Sequence, residues 1–151
     1  METASRNGRQ VWRMIGKHKF EFLPHTADVM FDAYGTSFSG ALESAGYAMF
    51  DFLGIADSAS KEIEIEEAAA RSKEELVVFV LSKIVANIDA SEMAPHSFSV
   101  TGLDEKTLRF SGILKLGNGR VKDHIKAVTF GNMEIEHKER GKWRVRVLLD
   151  I

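Results

Sequence analysis

Two short segments place acidic residues where an extended chain ordinarily carries apolar ones. The first is Pro24-His25-Thr26-Ala27-Asp28, which separates two alternating stretches. Asp28 opens the second stretch, and aspartate is disfavoured inside strands. A residue so placed commonly accepts backbone hydrogen bonds in a turn. The second segment is Leu149-Asp150-Ile151, directly after another alternating run. Ile151 is apolar enough to pack, and packing would fix its α-carboxylate next to the Asp150 side chain. Adjacent carboxylates repel unless a proton or cation lies between them. A third carboxylate nearby would complete a hard-oxygen site suited to Ca²⁺, Mg²⁺ or Mn²⁺. On the residues alone, the turn and strand-end roles stay open beside the metal reading.

Lys126 follows Ile125 in the apolar tract Ile125–Phe130. It either snorkels to solvent or aims its charge at carboxylates or a phosphate. The five histidines, His18, His25, His96, His124 and His137, are scattered and form no His-x-x-x-His pair. Gly117-Asn118-Gly119 has no following helix and makes no phosphate loop. The absence of Cys excludes thiolate nucleophiles, Cys-ligated zinc and iron–sulfur clusters. Twenty Lys+Arg against 22 Asp+Glu give a net charge of −2. That balance argues against autonomous duplex binding, which depends on cations displacing counterions. No apolar run approaches the ~18 residues of a membrane span. The 151 residues suit one domain.

The elements that must position these residues follow from periodicity. His18–Leu23 and Asp28–Tyr34 alternate at period two and read as paired strands around the turn at 24–27. Ser37 caps a predicted helix to about Leu53, with Gly54 as its stop. Lys61–Glu67 reads as a half-exposed strand. Ser72 and Glu75 form a predicted capping box, with Glu75 reaching back to Ser72. The helix behind it, Leu76–Ile88, is apolar on every side in its first two turns, so it should be enclosed by protein. Ser97–Leu103, Thr107–Leu116, Val121–Phe130, Met133–His137 and Trp143–Leu149 read as strands, with a tight hairpin at Asn118-Gly119. This order predicts an α+β fold: mainly antiparallel β layers enclosing two helices. Residues 1–17 are basic and lack a clear period. They read as a disordered or artefactual extension, the domain being 18–151, although a basic targeting segment has the same composition.

The sequence resembles the archease family. The resemblance rests on Phe20–Asp28, Ala33-Tyr34-Gly35, Ala48-Met49-Phe50, Ile125–Phe130 and Leu149-Asp150-Ile151, in order, over residues 18–151. It implies a non-catalytic protein cofactor. Archeases assist the RNA-splicing ligase that joins 3′-phosphate or cyclic-phosphate ends to 5′-hydroxyls in tRNA splicing. They promote its guanylylation by GTP and its multiple turnover. The resemblance implies a carboxylate-built metal site, with Asp28 and Asp150 as ligands and the Ile151 terminal carboxylate as the third. The cofactor would be a divalent metal: calcium, magnesium or manganese. His25 and Lys126 map beside this tip as partner contacts. The implied partner is the ligase, with RNA and GTP met only through it, no membrane, a cytoplasmic setting and a monomer.

The sequence departs from the family in two places. Many relatives carry His where this chain has Gly131, and a Trp common in the second helix is replaced by Val or Phe. Two further readings stay in view. A general chaperone or modulator of RNA-modifying enzymes would show an exposed apolar patch. A metal-dependent hydrolase would need His25 as its base.

Overall fold

The computed structural model describes residues 2–6 and 10–151. Nine strands and two helices occur among them. In chain order they are β1 (Glu2–Arg6), β2 (Gln10–Ile15), β3 (His18–Leu23), β4 (Val29–Gly35), α1 (Phe38–Leu53), β5 (Lys61–Glu67), α2 (Lys73–Ser91), β6 (Ala94–Asp104), β7 (Arg109–Gly117), β8 (Ala127–His137) and β9 (Trp143–Asp150). One sheet runs β1-β2-β3-β4-β9-β8 and the other β5-β7-β6. The assigned strand pairings are antiparallel. The helices lie between the sheets: α1 packs on β3, β4 and β9 and on β6, and α2 on β8, β5 and β7. This is the α+β arrangement expected.

Local chemistry fixes both helix starts. Ser37 Oγ accepts the Gly40 amide at 3.0 Å, satisfying one of the donors that an N-terminus leaves over. Gly35 precedes this start because a Cβ there would run into the backbone of Gly40 and Ala41. Ser72 Oγ accepts the Glu75 amide at 3.0 Å as expected. The reciprocal half differs by one residue: Glu75 Oε1 accepts from the Arg71 amide at 2.9 Å, and its other oxygen pairs with the Arg71 guanidinium. The all-round apolar helix is enclosed as its composition requires. Leu76, Val77, Val80, Leu81 and Ile84 are fully buried.

Three readings of the sequence are corrected. Val121–Phe130 does not form a strand hairpinned to β7 at Asn118-Gly119. The chain leaves the small sheet after Gly117, and residues 118–126 cross to the large one. The Lys122 amide bonds to Leu53 O at 2.6 Å, and Ile125 is buried during the crossing. Apolar Val121 and Ile125 mimicked a strand, but only Ile125 is a plug; Val121 is exposed. Residues 127–137 then form one strand rather than two. It is broken in register against β9 between Thr129 and Glu134, with Asn132 left-handed in the bulge.

The third correction concerns the N-terminal segment. Residues 1 and 7–9 of the expected 1–17 extension lie outside the described residues. The remainder is not outside the fold: β2 pairs along β3 from Val11↔Phe22 to Ile15↔His18, and β1 pairs with β2. Ile15 packs on the core, and Arg13 Nε reaches Asp51 Oδ2 of α1 at 2.9 Å. The charged Arg13 faces α1, and this hid the alternation from a hydrophobicity reading.

Candidate functional site

The site follows from strand register. In the β4–β9 ladder Val29 stands opposite Leu149. One step beyond that pair, Asp28 and Asp150 occupy adjoining strand ends. On the other flank of β9, Ala127 stands opposite Asp150, and the Lys126 amide donates to Asp150 O at 2.8 Å. Three segments distant in sequence therefore meet at one sheet end, with β9 in the middle.

Alternation along β9 decides what faces where. Val145, Val147 and Leu149 are fully buried, whereas Asp150 is exposed. Ile151 returns to the buried side and packs against the core, as its apolar character predicted. Ile125 is 1% exposed, while Lys126 beside it is open to solvent and makes no ion pair among the described residues.

The turn before β4 is constrained. Ala27 has φ +67°, and the Asp28 amide donates to Thr26 O at 2.8 Å, closing a three-residue turn. A Cβ in that left-handed conformation costs about 1 kcal/mol, so the tip of the hairpin stores strain immediately before Asp28. His25 lies in the same exposed turn, its Nδ1 3.2 Å from Thr26 O, with no hydrogen bond or ion pair to Asp28 or Asp150 among the described residues. The structure thus brings together Asp28, Asp150, Ile151 and Lys126. His25 stands three residues away along the chain, partnered only with its own turn.

Asp28 also borders a shallow cavity of about 400 Å³ with Met30, Phe52 and Asp51. Burial pushes the Asp51 carboxyl above its usual range, against the opposing charge and hydrogen bond of Arg13. Sequence reading missed Asp51 because it sits inside a helix with no motif around it. Its signal was an acid in the apolar stretch Met49-Phe50-Asp51-Phe52-Leu53.

Among the described residues, no group of three His, Cys, Asp or Glu side chains is arranged to hold a metal. Asp28 and Asp150 supply two side-chain carboxylates at the adjoining strand ends. All these donors are hard oxygens, which match Ca²⁺ or Mg²⁺ and not the thiolate- and imidazole-preferring ions.

The model of the Archease protein family matches residues 20–151. Protein archease of Methanosarcina mazei is 32% identical over 142 residues, spanning 88% of this chain and 96% of that protein. Protein archease-like of Drosophila melanogaster is 28% identical over 146 residues, spanning 91% and 94%. The solution structure of a Methanobacterium thermoautotrophicum protein superposes with a TM-score of 0.64 at 29% identity, covering 87% of this chain and 98% of that one. The crystal structure of a Thermotoga maritima archease, described as a possible chaperone, gives 0.61 at 19% identity over 85% and 94%, a likeness of fold. The matched segment begins inside β3 and runs through β9, so it contains the whole Asp28–Asp150 strand end, and the chain belongs to the Archease family.

Proposed function

We propose that this chain is a non-catalytic cytoplasmic activator of an RNA-splicing ligase, acting as a monomer to promote GTP-dependent guanylylation and multiple turnover in tRNA splicing. The observation that carries this reading is the meeting of Asp28 and Asp150 at adjoining strand ends, with Ile151 packed on the core beside Asp150 and Lys126 adjoining. Asp28, Asp150 and Ile151 would hold a divalent cation, which supplies positive charge to offset the clustered carboxylates. The chain's own contribution is position. Register fixes both aspartates, packed Ile151 fixes the terminal carboxylate, and Lys126 offers a mobile cation to a phosphate of the partner. Inserted at the ligase active site, such a tip lowers a barrier by prepaid orientation and electrostatics. No helix among the described residues is long and apolar enough to cross a membrane.

The test is a guanylylation assay with the ligase from the same source. Asp28→Ala and Asp150→Ala are each expected to reduce stimulation about tenfold or more. Undiminished stimulation by both variants overturns the reading.

One observation favours a chaperone-like alternative: Phe130 is 52% exposed on the β8 bulge. Phe130→Ser abolishing stimulation while Asp150→Ala leaves it intact would select that reading.

A further inference from the structure

A second cavity lies away from the Asp28–Asp150 end, where the Gly35 end of β4 meets the start of α1. It has a volume of about 810 Å³, within the range of small-molecule sites. Five cations border it (Lys17, Lys19, Lys138, Lys142 and Arg144), against two acids, Glu43 and Glu136. Both acids are already engaged. Glu43 accepts from His18 Nε2 and the Val100 amide, and Glu136 accepts from Arg144 Nε at 3.0 Å. Lys17 makes no direct ion pair among the described residues. The Lys142 and Lys138 side chains, 72% and 74% exposed, pair with Glu139 and Glu136. Such pairs are worth little and exchange readily. Arg144 is matched by Asp32, Glu134 and Glu136, so the cations left to a ligand are the four lysines, Lys17, Lys19, Lys138 and Lys142, gathered on a chain whose net charge is −2.

The floor adds a second attraction. Ser39 and Gly40 of α1's first turn line the cavity. The Gly40 amide is spent on Ser37 Oγ and the Ala41 amide on Ser37 O, which leaves the Phe38 and Ser39 amides without partners among the described residues. The first turn of α1 carries no acid, whereas that of α2 carries Glu74 and Glu75. The positive end of the α1 dipole is thus not offset by the chain itself. The walls are not uniformly polar: Met14, the Tyr34 ring and Trp143 also face the cavity. Cations gathered over a helix start beside apolar and aromatic walls match a ligand with a phosphate and a flat base.

We propose that this cavity binds a nucleotide unit, its phosphate held by Lys17, Lys142 and the α1 start and its base lying against Met14 and Trp143. The unit is either a free nucleotide or part of an RNA strand. Met14, Lys17, His18 and Lys19 precede residue 20, where the family match begins. The site is therefore built partly by the β2–β3 hairpin of this chain. It does not rest on the ligase reading. It departs from the expectation, implied by the family resemblance, that RNA and GTP are met only through the ligase, because charge placement and not charge total governs local binding.

The test is calorimetric titration of the full chain in low salt with chelator, so that the Asp28–Asp150 end takes no part. The probes are GTP, a 5′-phosphorylated short single-stranded RNA and inorganic triphosphate. GTP or the RNA should bind, and whichever binds identifies the source. Lys17→Glu with Lys142→Glu should weaken that binding about tenfold or more. Ser39→Asp separates binding from folding: an acid in the first turn stabilises the helix yet repels phosphate, so melting temperature holds or rises while affinity falls. The proposal is overturned if neither GTP nor RNA binds, if both sets of variants bind like the parent, or if inorganic triphosphate binds as tightly as GTP.

Discussion

Arg146 grips Asp32 with both ends of its fork. Nε donates to Oδ1 at 2.8 Å and Nη2 to Oδ2 at 3.0 Å. Arg144 Nη1 adds a third bond to Oδ1 at 3.0 Å. Asp32 is 3% exposed although it lies on the face of the large sheet turned away from the helices. The two guanidiniums bury it and are in turn held by Glu134 and Glu136. Arg144 is held more firmly protonated than an ordinary arginine: burial works against the charge, but bonds to Glu136, Glu134 and Asp32 outweigh it.

Removing the carboxylate leaves two cations side by side on β9 without their counter-ion on β4. Asp32→Ala is expected to cost about 3–5 kcal/mol, which urea unfolding would measure directly. Lys115→Ala breaks only a 3.9 Å exposed pair with Glu62 and should fall within about 0.5 kcal/mol of the parent. Equal losses in the two variants would refute the burial argument.

Acid should destabilise the fold through two carboxylates. Burial alone would raise Glu43, but hydrogen bonds from His18 and the Val100 amide overcome it, leaving the carboxyl below its ordinary value. Burial likewise opposes, and Lys83 with the Ala69 amide overcomes, at Glu67. A depressed folded-state value means that the stability is present above the unfolded glutamate range of about 4.3 and is lost as pH falls through the lower folded value. Thermal melts from pH 6 downward should decline below about pH 4.5, and Glu43→Gln with Glu67→Gln should flatten that decline.

Ala27 offers a test of strain beside the candidate metal ligands. Glycine adopts φ +67° without the Cβ penalty. Ala27→Gly should therefore leave stability unchanged or raise it by up to about 1 kcal/mol, as read by chemical denaturation. A clear destabilisation would show that the methyl packs and that the strain is offset elsewhere. Gly35→Ala should act oppositely and cost about 1–3 kcal/mol, since the new methyl meets the α1 backbone.

The Ile151 carboxylate can be displaced without touching a side chain. Extending the chain beyond Ile151 moves the α-carboxylate away while Asp28 and Asp150 stay in register. Calcium affinity measured by calorimetry should fall by about tenfold. An unchanged affinity removes Ile151 from the ligand set.

Much of this molecule was legible as periodicity. Phe20, Phe31 and Ala33 all lie fully buried as their alternation required, and Ser37 and Ser72 cap the helices they were expected to cap. The failures share a cause. Arg13 in β2, Asp32 in β4 and Asp51 in α1 are polar residues placed against the core or buried on the sheet, and each is paired across the fold. A hydrophobicity pattern registers such residues as breaks or as solvent-facing, because their partners lie far along the sequence. Val121–Lys126 failed in the opposite sense: an exposed crossover with one buried residue, Ile125, carries strand-like residues without a strand's partner. The Asp28–Asp150 adjacency depends on β4 pairing with β9, which no local pattern encodes.

That pairing also governs the order in which the domain can be completed. β9 sits between β4 and β8 and follows both in the chain. While the polypeptide emerges from the ribosome, β4 and β8 each present an open edge with nothing to zip onto, and open edges recruit other chains. The large sheet closes only when β9 arrives, across more than a hundred residues of intervening sequence, the kind of distant contact that slows folding. A chain interrupted before Trp143 would lose far more than a candidate metal ligand: it would retain two sticky edges and no way to join them.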